Sequence, residues 1–153
     1  MINVQLRGDK RIREALRHAE GKLSDMGGLM RSLANLQYQS TVRNFEKESF
    51  DGEKWPELAE STQHSMITEG SERGAANILR PTGRHIFQRI SQSSTRDEAR
   101  VKCNQGWAFA HNFGIPMPQG WQMPQRTFLG ISDEDEESIA NAIDAYVERA
   151  LSQ

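Results

Sequence analysis

The chain has 153 residues and a net charge of −2 at neutral pH. That length suits a single domain able to bury about two-thirds of its unfolded surface, and the charge argues against general affinity for nucleic acid. An apolar share of 36% and a mean hydropathy of −0.72 are low for a compact monomer, so either long helices carry wide solvated faces or other subunits complete the surface.

The chain opens on a short extended stretch (Ile2, Val4, Leu6) and lacks the basic start and apolar run of a secretory signal. No later stretch approaches the roughly eighteen apolar residues of a membrane helix. The expected setting is cytoplasmic. Asp9 is a candidate helix cap, and Ile12, Ala15, Leu16, Ala19, Leu23 and Met26 recur mostly at spacings of three and four, the mark of one apolar helical stripe. Gly27-Gly28 interrupts the stripe, and Leu29, Leu33, Leu36 and Phe45 resume it until Asp51-Gly52. Two helices, or one kinked helix, are expected over residues 9–49.

Phe50 to Leu58 reads as a turn, bent by Asp51-Gly52, with Pro56 biasing Trp55 away from helical angles. Trp55 and Leu58 are expected to anchor it to the core. Ser61 or Thr62 is the candidate cap of a short helix through Ile67. Residues 69–76, rich in glycine and charge with almost no apolar anchor, are expected to be mobile in a free subunit.

From Ile78 the texture changes. Pro81-Thr82-Gly83 punctuates, Arg84 to Ile90 suits a short helix or the entry to a strand, and Ser91 to Thr95 suits a strand before a polar turn at Arg96–Glu98. Ala99, Val101 and Cys103 alternate with Arg100 and Lys102, the period of a half-buried strand. Cys103 is the only cysteine, which excludes an intrachain disulfide and any multi-cysteine zinc motif; it reads as a small buried hydrophobe. Trp107 to Gly114 is aromatic and small by turns, Ile115 to Gln122 is a Pro/Gly loop, and Arg126 to Ile131 is expected to be a final strand.

Five acidic residues, Asp133 to Glu137, follow Ser132 without a break. Ser132 can cap a helix, with Asp135 three residues on as a weak form of the capping box. First-turn carboxylates favour the helix dipole by about 0.3–1 kcal/mol each before mutual repulsion is counted. Ile139, Ile143, Tyr146 or Val147, and Ala150 then mark one helical face. A calcium loop starting at Asp133 would want glycine where Ser138 stands and glutamate where Asp144 stands. The run starts a helix. The expected fold is α+β, with long N-terminal helices, a small antiparallel β-sheet and a C-terminal helix. It forms one domain over residues 1–153, with a helical part at 9–49 and an α+β part at 50–153.

No catalytic constellation is visible. His18, His64, His85 and His111 are scattered and fall in no H-E-x-x-H pattern. His111, among aromatic residues, is one half of a hydrolase pair whose acidic partner is not apparent; a packed structural histidine is the simpler account. Arg80, Arg84 and Arg89 near Pro81-Thr82-Gly83 suit a solvated or subunit-facing surface better than a phosphate site. No phosphate loop, nucleophile elbow or Cys/His pairing appears. No metal, cofactor or enzymatic activity is expected. A small nucleic-acid-binding regulator using the basic first helix is the alternative, opposed by overall acidity and by the lack of interleaved aromatic and basic residues.

Several segments in order carry a resemblance. Phe45 through Leu58 holds the Asp-Gly turn and Trp55-Pro56-x-Leu58, followed by Thr62, Ile78-Leu79 and Thr82-Gly83. After the β-hairpin come Trp107-Ala108 with His111 and Gly114, then Pro124-x-Arg126-x-Phe128-Leu129-Gly130 and an acidic helix. Over residues 40–150 this order and spacing resembles the phage virion morphogenesis family, which includes tail-completion proteins of temperate phages. Two departures stand out: Trp107 where members often carry tyrosine, and the Ile115–Gln122 loop with its own Trp121.

The resemblance implies a non-enzymatic component of a contractile-tailed phage or prophage. It would act late in assembly, in the host cytoplasm, to complete the tail and prepare head–tail joining, and would reside in the neck or tail of the virion. Related neck and tail-terminator proteins share such α+β folds and form rings, often hexameric. The implied partners are further copies of the chain, the tail tube or tail terminator, and head–tail connector proteins, with no membrane and no sequence-specific nucleic acid. Its structural or interface candidates are Trp55, Pro56, Leu58, Thr82, Gly83, Trp107, Ala108, His111, Gly114, Pro124, Arg126, Phe128, Leu129 and Gly130; maintenance of the fold is the plainest role for each. Charge is uneven, with nine Lys/Arg against six Asp/Glu in residues 1–50 and three against seven in residues 101–153. Many solvated faces show such polarity, but in a head-to-tail assembly it would let the basic N-terminal part of one subunit meet the acidic C-terminal part of the next.

Overall fold

The computed structural model describes residues 17, 20, 21, 24–68, 78, 79 and 86–152, with the backbone alone for 65–68. Of the expected first helix, residues 17, 20, 21 and 24 are described and are helical; the loop at 69–76, and Thr82-Gly83 with Arg80 and Arg84, lie outside the described residues. Helix α1 spans Gly27–Lys47. The stripe is interrupted just before the glycines, at Asp25-Met26, and Gly27-Gly28 stand in the first turn of α1 instead of breaking it. The helix stops at Glu48, whose φ of 48° is left-handed and whose N–H closes onto the Asn44 carbonyl.

Strands β1 (Ser49–Phe50) and β2 (Glu53–Lys54) pair antiparallel around Asp51-Gly52. Both turn residues have positive φ, 49° and 81°, the two-residue hairpin geometry for which Asp-Gly is favoured. Helix α2 spans Glu60–Thr68 and so begins before Ser61. The Thr62 and Gln63 N–H groups both reach the Ala59 carbonyl, which puts Ser61 and Thr62 inside the first turn; neither is the cap.

A short 3-10 turn at Phe87–Arg89 leads into β3 (Ile90–Ser94), which pairs antiparallel with β4 (Ala99–Cys103), Ile90 opposite Cys103 and Ser94 opposite Ala99. Along β4 the expected alternation holds: Ala99, Val101 and Cys103 are half-buried, Arg100 and Lys102 exposed. Cys103 packs against the core, its thiol 3.6 Å from the Ile86 carbonyl, and burial pushes that thiol above its usual pKa. Helix α3 (Ala108–Phe113) and helix α4 (Asp133–Leu151) complete the order. The final strand expected at Arg126–Ile131 does not form. Among the described residues the β structure is two separate two-stranded hairpins plus an isolated bridge between Pro116 and Gln122.

Helix α1 packs against the β3–β4 hairpin and against α4. The core gathers Phe45, Trp55, Ile78, Leu79, Ile86, Ile90, Ala108 and Phe128. Phe45 sits among other rings, with Trp55 edge-on at 5.5 Å, Phe87 at 5.3 Å and Phe128 at 5.1 Å. Burying a large apolar side chain of this kind contributes about 1.5–3 kcal/mol, and favourable ring geometry adds to it. The inward side of α1 is only partly apolar, because Ser40 and Thr41 are buried and Gln37 and Asn44 half-buried beside Leu29, Ala34 and Phe45. Low hydropathy in this chain therefore comes partly from polar side chains placed inside, each with work to do for a neighbouring backbone or cap.

Ser132 caps α4 as expected, and the capping box is complete. Its Oγ accepts from the Asp135 N–H at 3.2 Å, and Asp135 Oδ2 accepts from the Ser132 N–H at 3.0 Å. Asp135 does more than the sequence suggested. It is buried against α1, where the Ser40 hydroxyl donates to Oδ2 at 2.8 Å and Arg43 approaches Oδ1 at 3.7 Å. The packed side of α4 runs through Asp135, Ile139, Ala142, Tyr146 and Ala150, leaving Ile143 and Val147 outside it. Among the described residues no helix is long and apolar enough to cross a membrane.

Candidate functional site

The motif residues converge on the segment from Arg126 to Gly130. A backbone that pairs with no strand but lies in the interior leaves N–H and C=O groups that cost about 1–3 kcal/mol each if unmet. Here side chains from several elements take the place of a ladder. Asn112, buried on α3, accepts at Oδ1 from the Phe128 N–H (3.0 Å) and the Leu129 N–H (2.9 Å), and donates from Nδ2 to the Leu129 carbonyl (3.1 Å). From α1, Gln37 donates to the Gly130 carbonyl at 2.6 Å and Asn44 to the Phe128 carbonyl at 3.1 Å. Trp55 Nε1 donates to the Thr127 carbonyl at 2.8 Å. The Arg126 N–H donates to the His111 carbonyl at 2.7 Å.

The Arg126 guanidinium ties this segment to the Trp55 motif. Only 3% exposed, it donates from Nε to the Pro56 carbonyl and from Nη2 to the Glu57 carbonyl, each at 2.8 Å. Backbone carbonyls hold it, with no ion-pair partner among the described residues, and burial lowers its pKa from the usual arginine value. Two glycines permit close approach. Gly114 ends α3 at φ 62°, and a Cβ there would lie 2.9 Å from the Gln125 nitrogen and the Met123 oxygen. A Cβ on Gly130 would lie 2.8 Å from the Phe50 ring.

The structure therefore joins Trp55, Pro56, Ala108, His111, Gly114, Arg126, Phe128, Leu129 and Gly130 in one interlocked region. Leu58 packs on the same core and Pro124 is half-buried nearby in sequence. Trp107 does not join them: its side chain is 59% exposed. Sequence reasoning missed Asn112, Asn44 and Gln37. A faint signal for Asn112 existed, since it lies four residues from Ala108 and so shares a helical face with a small, buried residue.

His111 is half-buried, and its buried Nδ1 has no hydrogen-bond partner among the described residues. Burial, and secondarily the Arg126 charge, lower its pKa from the ordinary histidine value. Among the described residues no carboxylate is hydrogen-bonded to it as an oriented partner of the kind general acid–base chemistry uses. A cleft of about 530 Å³ opens between α1 and β3, and among the described residues Arg31 is the one charged side chain lining it. Among the described residues no group of three His, Cys, Asp or Glu side chains could hold a metal ion. What this region does is fix one backbone segment and the helices around it.

A model of the phage virion morphogenesis family matches residues 8–148. The chain belongs to that family. The match spans every motif from Trp55 to Gly130 and reaches well into α4. No curated protein and no solved structure matches the chain. Membership in the phage virion morphogenesis family supports a structural, virion-associated role in phage assembly.

Proposed function

We propose that the chain completes the phage tail and prepares it for joining to the head, acting as one subunit of a ring in the neck or at the tail end. The family match over residues 8–148 carries this reading. Two features support it: a rigid, side-chain-clamped interior, and large apolar side chains left outside on α3 and α4. A protein that works by binding needs such a frame and such surfaces. The partners are further copies of the chain, the end of the tail tube or its terminator, and the head–tail connector. Disrupting the gene in its phage is expected to leave filled heads and separate tails with abnormal ends, visible by electron microscopy. Normal infectious particles from the disrupted phage would refute the role.

A further inference from the structure

His111 sits where α3 meets the segment that the helix holds. The end of a helix ordinarily favours a histidine cation, through carbonyls that lack a donor. Three carbonyls at the end of α3 already have one. Ala110 accepts from the Gly114 N–H, His111 from the Arg126 N–H, and Asn112 from the Thr127 hydroxyl.

The charges near the ring also oppose a cation. Helix α3 carries no titratable side chain besides His111. The segments that meet it here are Met123–Gly130 and, through Arg126, Trp55–Leu58. Their charged groups are Glu57 and Arg126. Glu57 is exposed and enters this region through its carbonyl. Arg126 is buried, and among the described residues its charge is the one that acts on His111. Burial first, and that charge second, hold the histidine below its ordinary pKa. Charging the imidazole puts a proton on both ring nitrogens. At Nδ1 this would be a buried donor with no acceptor among the described residues. The ring fits the clamp only while neutral.

We propose that His111 is a proton-operated latch: neutral, it lets α3 lie against Arg126–Gly130, and charged, it lifts α3 from that segment. Lifting α3 takes Asn112 away from the Phe128 and Leu129 backbone. It also shifts Phe109 and Phe113, which the same six-residue helix holds outward. The closed clamp favours the neutral ring, whereas an opened one takes the proton at an ordinary value of about 6.5. The closed form is therefore fully favoured above that pH and loses ground as pH falls through it. The opening constant rises by up to about tenfold per pH unit for one proton.

The test is amide hydrogen exchange on the full chain, followed by NMR at about pH 7.5 and about pH 5.5. Protection of the Phe128 and Leu129 amides, corrected for intrinsic exchange, is expected to fall several-fold, approaching about tenfold. The β4 amides paired to β3 are expected to keep theirs. In His111→Gln, which has no titrating ring, the Phe128 and Leu129 amides are expected to show the same protection at both pH values. The His111 ring resonance in the wild-type chain gives a reading that needs no variant, and it is expected to titrate below about 6.5. Protection that is independent of pH in the wild-type chain would overturn the latch. So would an equal loss in wild type and His111→Gln, an equal loss across β4, or a ring that titrates at the ordinary value.

Discussion

At the scale of single residues, Asn112 carries more structural consequence than any tryptophan in the motifs. Its one amide satisfies three backbone groups of Phe128 and Leu129, and no neighbouring strand stands ready to replace it. Asn112→Ala is expected to cost about 3 kcal/mol or more in urea unfolding, because each orphaned buried group costs about 1–3 kcal/mol. Trp55→Phe removes the single bond to Thr127 and keeps an aromatic ring beside Phe45, so it is expected to cost about 1 kcal/mol. Equal, small losses for the two variants would show that Asn112 does not hold the segment. Arg126 belongs to the same logic, since its guanidinium serves two carbonyls of the Trp55 loop.

At the scale of elements, the acidic helix start shows how far local sequence rules reach. Ser132 and the dipole-compatible carboxylates were enough to place α4, but nothing local said that Asp135 would be buried against Ser40. That contact joins residues 95 apart in sequence. Ser132→Ala is expected to cost about 1 kcal/mol, the usual value of an N-cap. Asp135→Ala should cost more, because it removes the same box and also leaves the Ser40 hydroxyl without its acceptor. Millimolar calcium or magnesium should leave the melting temperature unchanged. A rise of several degrees that disappears on mutating Asp133 and Asp135 would turn the helix start into a metal site. The final strand failed for a related reason: Arg126 to Ile131 has strand-like composition, but α1 and α3 supply amide side chains where a strand would have to lie. Composition reports extended backbone and is silent on what will pair with it.

For the whole molecule, α1, the Asp51-Gly52 turn (though not the two strands beside it), β4 and α4 were legible because each rests on a local period, turn signal or cap. The motif residues were legible as an ordered set, though not their joining, which depends on Arg126 reaching across to Pro56 and Glu57. The outward turn of Trp107, Phe109 and Phe113 was not legible, since aromatic residues in sequence read first as core. That turn separates two jobs in one short helix. Asn112 and Ala108 hold the fold, and Phe109 and Phe113 face outward. The central claim is that this frame serves assembly through its exposed apolar faces. It is tested most directly by electron microscopy of particles made when the gene-disrupted phage is complemented with the Phe109→Asp, Phe113→Asp protein. The account predicts filled heads and unjoined tails despite a folded protein, while the wild-type chain restores joined particles. Joined, infectious particles from the variant would contradict it.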